Sequence, residues 1–235
     1  MNAPFDVSAL WSRFEQTMIA PRGDEDRLHG SDLLACDRAT WLRLQGEPTL
    51  PFDGDSIAQF MMGHAVEAYV TGALDHLAAE GYTITRGREV EYRGSVGHVD
   101  VDLELWPYGG DVSEAVAVLD VRTTKAKEPE PKDAHVLKSA FYAVALGAPH
   151  FAEWVFCLGF GKIAKSACFW FETEKYRARV EEAIDRLEAV AGGELPEAEP
   201  PTGMEWLCGK PGSGTSYCRA NCWRNARLVQ EEVPF

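Results

Sequence analysis

No apolar stretch in the 235-residue chain is long enough to cross a bilayer. The opening residues, MNAPFDVSALWSRFEQ, have neither a basic start nor a continuous apolar segment, so no secretory signal is expected and the cytoplasm is the default compartment. Several enzyme classes lose their anchor residues in the same way. GFGK at 159–162 and PGSGTS at 211–216 lack the spacing and the Lys-Ser/Thr ending of a phosphate loop. Neither GxSxG nor HExxH occurs, so serine-hydrolase and zincin chemistry have no starting point. Internal repeats and low-complexity tracts are also missing. Cations are few: 23 Lys and Arg stand against 37 Asp and Glu, a net charge of -14, which argues against phosphate contacts spread over the whole surface. They are not evenly spread, however. Residues 206–230 carry Lys210, Arg219, Arg224 and Arg227 and no acid, and a second group runs through Arg122, Lys125, Lys127, Lys132 and Lys138. A locally basic groove on an acidic body and an ordinary solvated surface are both compatible with this distribution.

The hydrophobic share of 46%, with 11% aromatics, is that of a folded globular protein, and the length suits one sizeable core. That core is organised around VGHVDVDLELWPYGGDVSEAVAVLDVRTTK, residues 96–125. Period-2 alternation, a Gly-containing turn at 108–111 and a β-branched run predict two adjacent strands. On the first, Val99, Val101, Leu103 and Leu105 are expected on one face and Asp100, Asp102 and Glu104 on the other. The second is apolar on both faces, as in a central strand, and ends in Asp120, Val121, Arg122, with Asp120 and Arg122 sharing a face. Two acids and a cation beside a buried sheet suit a divalent metal held against a phosphate.

Around these strands the pattern predicts helices at 7–20, 32–44 with Ser31 as N-cap, 56–79, 134–146 capped by Asp133 and ended by Gly147, and 173–190. Strands are predicted at 83–92, 151–159 and 164–171, the last two forming a hairpin around Gly161. In the third helix Ile57, Met61, His64 and Ala68 follow helical spacing, which puts His64 on the inward stripe. In the fourth, His135, Lys138 and Tyr142 share a face at i, i+3 and i+7, which water alone can explain. Three strands, a helix and a further strand imply an α/β core with a mixed sheet.

Six cysteines in a reducing compartment suggest thiols or metal ligands rather than disulfides. Cys157 and Cys168 fall in apolar strands and are expected to pack as small hydrophobes, leaving Cys36, Cys208, Cys218 and Cys222.

Taken together and in order, these segments resemble the PD-(D/E)XK nuclease superfamily, in particular its RecB-like branch with an iron-sulfur cluster, which includes CRISPR-associated adaptation exonucleases. SDLLACDRATWLRLQG is similar to the N-terminal Cys helix, GHAVEAYV to the helix with a metal-binding His, GHVD and VLDVRTTK to the paired acidic motifs, and LKSAFYAVALG to the helix that usually carries Gln and Tyr. The likeness spans nearly the whole chain, from Ser31 to Cys222.

The resemblance implies a restriction-endonuclease-like core at 56–190, a central mixed sheet flanked by helices, in a single domain spanning 1–235. It adds a Cys-ligated cluster subdomain built from segments 31–46 and 202–227. By the same resemblance His64, Asp100, Asp120 and the Val121 carbonyl would ligate Mg²⁺ or Mn²⁺. Arg122, Lys138 and Tyr142 would join Asp100 and Asp120 in catalysis, with Asp102 behind them and Lys125, Arg219 and Arg224 on DNA. Cys36, Cys208, Cys218 and Cys222 would hold a [4Fe-4S] cluster, with zinc the alternative because the spacing after Cys208 is wider than the usual Cys-x2-Cys. Arg122 stands where the family has its catalytic Lys, and Lys138 where it has Gln. Lys125 or Lys138 is the candidate to fill that gap, Lys125 only if the backbone turns after Thr123. The implied activity is a metal-dependent exonuclease or end-processing nuclease acting on single-stranded DNA or duplex ends in recombination, repair, or phage or CRISPR DNA metabolism, beside the proteins of those processes. The alternative is a weakened module that binds DNA ends or a partner protein. The expected setting is a bacterial cytoplasm, or a host's if the protein is phage-encoded, with no membrane partner.

Overall fold

The computed structural model describes residues 26–47, 54–105, 114–159 and 162–197. The helix predicted at 7–20 and the turn at 108–111 lie outside them. Helices α1 (Asp37–Leu44) and α2 (Gly54–Ala73) precede strands β1 (Tyr82–Tyr92), β2 (Ser95–Leu105) and β3 (Glu114–Thr124), and then come α3 (Asp133–Leu146), β4 (His150–Gly159), β5 (Lys162–Glu172) and α4 (Arg177–Gly192). The protein is α/β, with one mixed five-stranded sheet in the order β1-β2-β3-β4-β5. β3 and β4 run parallel, joined by the α3 crossover, and every other pair is antiparallel. The doubly apolar β3 is the central strand, as its sequence predicts. No helix among the described residues is long and apolar enough to cross a membrane.

Successive β3 residues separate two cores. Val118 packs with Phe141, Val144, Phe151, Ile184 and Leu187 beneath α3 and α4. Ala117 and Leu119 pack instead with Ala152, Leu74 and Leu77 on the other face. Phe141, Phe151, Ile184 and Leu187 are essentially fully buried, each contributing about 1.5–3 kcal/mol of hydrophobic stabilisation. On α4 the buried set Val180, Ala183, Ile184, Leu187 and Val190 lies along one helical stripe. α3 ends at Gly147, whose φ of 70° is left-handed, while the Ala148 N–H closes on the Ala143 carbonyl at 2.9 Å.

Local boundaries depart from the sequence reading where side chains compete for backbone groups. The helix predicted at 32–44 is two pieces, a 3₁₀ turn at Gly30–Leu34 and α1, with Cys36 as the N-cap of α1. Asp32, not Ser31, makes the capping contact, accepting from the His29 N–H at 2.7 Å and pairing with Arg43 at 2.6 Å. Burial pushes the Asp32 carboxyl up, and Arg43 opposes that shift. The helix predicted to reach residue 79 changes at Leu74 to a 3₁₀ segment, Leu74–Glu80. Asp133 lies in the first turn of α3 rather than at its cap, where Lys132 stands, and pairs with Arg179 at 2.7 Å.

β1 does not bury one side along its whole length. Ile84 packs on the Leu74/Leu77 side, whereas Val90, six residues on, and Val99 pack on the α3 side. Between Ile84 and Val90 sits Gly87, with φ +65°, a conformation that glycine adopts without steric cost. The ribbon therefore changes the side it buries partway along.

Candidate functional site

β3, β4 and α3 place five polar side chains at one spot inside the sheet–helix interface. Asp120, 1% exposed, is the innermost acid of β3. Arg122 follows on the same face and pairs with it. From α3, Lys138 brings its Nζ to 3.2 Å from Asp120 Oδ1. From β4 comes Glu153, fully buried and directly in register with Asp120. Arg122 Nε donates to Glu153 Oε2 at 3.1 Å, and Ser139 Oγ donates to Glu153 Oε1 at 2.5 Å. Once Glu153 is ionised, two carboxylates and two cations neutralise one another, which is what allows four charges into the interior.

The network shifts its titratable members strongly. Burial, reinforced by the Asp120 charge, pushes Glu153 up to about 7, with Arg122 and Ser139 pulling the other way. His135, one turn before Lys138, is pushed down to about 3, first by burial and then by Arg122, with Asp120 opposing. It is therefore a neutral imidazole at working pH.

Tyr142 braces the group. Its ring lies 5.2 Å beneath Lys138 Nζ, a cation–π distance. It fits only because two neighbours lack side chains. A Cβ at Gly97 would overlap Tyr142 Cε1, and one at Gly30 would come within 3.0 Å of the same atom and 2.9 Å of Phe141 Cδ1. The face His135–Lys138–Tyr142 that water alone could explain is thus turned inward onto the acid cluster.

The predicted site residues fall into three groups. Asp120, Arg122, Lys138 and Tyr142 converge as described. Val101 pairs with Leu119 on β2 and β3, the last pair of that register before Asp100 and Asp120; the side chains of Asp100 and Asp102 lie outside the described set. His64 is not on an inward stripe. Its side chain is 74% exposed, with Nδ1 3.6 Å from Glu67. The preceding Gly63 abuts Thr123, where a Cβ would sit 3.5 Å from Oγ1, so α2 covers the face of β3 opposite Asp120. Periodicity misassigned His64 because α2 packs through the face that carries Val70 and Thr71 instead. Val121 is half-buried, and Lys125 is exposed one residue beyond the end of β3. β3 continues to Thr124, so the turn after Thr123 that Lys125 would need is not made.

Glu153 and Ser139 escaped the sequence reading. The available signal was a lone acid inside the apolar run FAEWVFCL, because a buried charge requires a partner.

A cation reaching Asp120 finds hard oxygen donors of the kind Mg²⁺ and Mn²⁺ take, with Asp100 on the adjoining strand. To bind there it must displace Arg122 or Lys138. Among the described residues no group of three His, Cys, Asp or Glu side chains is placed to hold a metal.

Of the cysteines, Cys157 is buried as expected, whereas Cys168 on edge strand β5 is exposed. Cys36 is buried at the start of α1. α1 is tied to the chain leaving α4: Trp41 Nε1 donates to the Gly193 carbonyl at 3.0 Å and Arg38 Nη1 to that of Pro196 at 3.1 Å. Cys208, Cys218, Cys222, Arg219 and Arg224 lie outside the described residues.

No protein-family model matches the chain, and no curated protein does. Among solved structures, the chain is similar to the crystal structure of SSO0001, with 13% identity over 79% of this chain and 88% of that one, at a TM-score of 0.49. It is also similar to an alkaline exonuclease, LHK-Exo, from Laribacter hongkongensis, with 13% identity, 73% and 90% coverage and a TM-score of 0.48. The same exonuclease in complex with dAMP gives 11% identity, 78% and 92% coverage and a TM-score of 0.46.

Proposed function

We propose that the protein is a metal-dependent deoxyribonuclease of PD-(D/E)XK type, acting as an exonuclease or end-processing enzyme on single-stranded DNA or duplex ends. The observation that carries this reading is the convergence on Asp120 of Arg122 and Lys138, at the end of a central strand whose neighbour carries Asp100. Asp100 and Asp120, with His64 and the Val121 carbonyl, would hold Mg²⁺ or Mn²⁺. A cation there supplies Lewis-acid polarisation of a phosphoryl oxygen.

The remaining chemistry belongs to the side chains. Arg122 offers a planar fork to phosphate oxygens but stays protonated, so it cannot accept a proton from water. Lys138, its Nζ 3.2 Å from Asp120, fills the lysine role from the helix rather than the strand. Tyr142 holds that ammonium in place. Lys125, Arg219 and Arg224 would meet the DNA backbone. Purified protein is assayed on single- and double-stranded DNA with Mg²⁺ and Mn²⁺ beside Asp120→Ala. Loss of cleavage in the variant is expected, and equal nicking by both would rule the site out.

A second reading, a weakened RecB-like module that binds DNA ends or a partner protein of recombination, CRISPR or phage replication, is favoured by the same cations. With Arg122 and Lys138 both on Asp120, the carboxylate is neutralised without any metal. Calorimetric Mn²⁺ titration separates the two, because a decayed site binds Mn²⁺ no better than its Asp100→Ala variant.

Cys36, Cys208, Cys218 and Cys222 would hold a [4Fe-4S] cluster, with zinc the alternative. This is supported by α1 holding the chain at Gly193 and Pro196, just before the segment that carries the last three cysteines. Anaerobically purified protein is expected to be brown with broad absorbance; colourless protein with stoichiometric zinc would refute the cluster.

A further inference from the structure

We infer that Glu153 is a positioning residue for the nuclease site: by holding Arg122 through Nε, it keeps the guanidinium in place when a divalent cation takes the Asp120 oxygens. The inference rests on the nuclease reading and extends it to a residue on β4. Arg122 bridges two acids that face each other across the parallel β3–β4 pair, with Nε on Glu153 at 3.1 Å and Nη2 on Asp120. The Glu153 carboxylate is itself fixed, fully buried and bonded from Ser139 at 2.5 Å. The two bonds of Arg122 therefore differ in kind. The one to Glu153 is anchored in the β4–α3 interior, and the one to Asp120 is the one an incoming cation contests.

A guanidinium with two counter-charges can release one and stay neutralised by the other. With Glu153 lost, the pair with Asp120 carries more of the charge compensation at Arg122, and releasing it costs more. Metal binding should then compete directly with the Asp120–Arg122 pair. A lysine ammonium carries all three donors on one nitrogen, so it cannot hold Glu153 with one nitrogen and meet Asp120 with another. Glu153 thus accounts for how an arginine is accommodated at a position where the resembled family has lysine.

The test is a double-mutant cycle read by Mn²⁺ calorimetry on the full-length protein: wild type, Glu153→Gln, Arg122→Met and the double variant, with Asp120→Asn as control. Glu153→Gln is expected to raise the Mn²⁺ Kd about five- to tenfold beside Arg122, and less than about twofold beside Met at that position. An equal shift in both backgrounds would make Glu153 a plain source of negative potential and overturn the inference while leaving the nuclease reading standing. Mn²⁺ binding that does not depend on Asp120 overturns both. If Glu153→Gln does not fold, Ser139→Ala takes its place. An increase of about twofold confined to the Arg122 background is then expected; an equal shift in both backgrounds, or none in either, overturns the inference.

Discussion

On the α3 side of β3, Asp120 and Arg122 are locked to Lys138, Glu153 and Ser139, every partner buried or nearly so. On the α2 side of the same strand, Thr123 meets the bare backbone of Gly63, and His64 beside it stands mostly in water. The contrast separates a preorganised half of the proposed site from an adaptable one. The charges beneath α3 are positioned by folding itself, so their placement requires no ordering when a ligand arrives. An imidazole on α2 would have to be ordered at that moment, around the end of the strand.

The largest expected effect lies on the crowded side. Gly97→Ala forces Tyr142 from its slot and should destabilise the fold by about 1–3 kcal/mol, as overpacking does. Urea unfolding measures the loss; unchanged stability would mean that Tyr142 can leave without consequence.

The pH dependence is next in size. Folding raises Glu153 from 4.5 to about 7, so the native chain keeps a proton that the unfolded chain has released, and stability falls as pH climbs through that window. His135 is lowered from 6.5 to about 3, so the unfolded chain takes up a proton that the native one refuses, and stability rises with pH from about 3 to 6.5. Each slope is at most about 1.4 kcal/mol per pH unit. From 4.5 to 6.5 the two cancel. Denaturation from pH 3.5 to 8 should therefore trace a plateau with a falling arm on each side. Glu153→Gln should flatten the alkaline arm and His135→Gln the acidic one; arms unmoved by either would remove these groups as the cause.

The α2 side should respond least, and in the opposite direction. Gly63→Ala places its Cβ in ordinary contact with Thr123, and in a helix interior it should stabilise by about 0.5–1 kcal/mol. His64→Ala should leave stability within about 0.5 kcal/mol. If the imidazole joins Asp100 and Asp120 around a cation, the same variant loses Mn²⁺ affinity, and unaltered titration removes His64 from the site.

The central strand, the α3 crossover and the shared face of Asp120 and Arg122 were legible because each depends on local pattern: a doubly apolar run, a glycine-ended helix, a two-residue spacing. Glu153 was not, because its meaning depends on parallel register with Asp120, and β3 and β4 are separated by a whole helix in sequence. His64 was misread for a related reason. Helical periodicity reports which residues are alike, whereas the buried face of α2 is the one that carries Val70 and Thr71. The cap at Asp32 was missed because the segment starts as a separate 3₁₀ turn capped at His29, which shares no helical periodicity with the residues after it.

Because Gly87 lets the first hairpin exchange one buried side for the other, its two halves serve different neighbours, and they stay in phase only through the number of residues between them. Losing one residue there would rotate the distal half and carry Gly97 away from Tyr142, while the near half stayed paired. Descendants of this sequence should accordingly tolerate many replacements along this exposed ribbon but very few insertions or deletions.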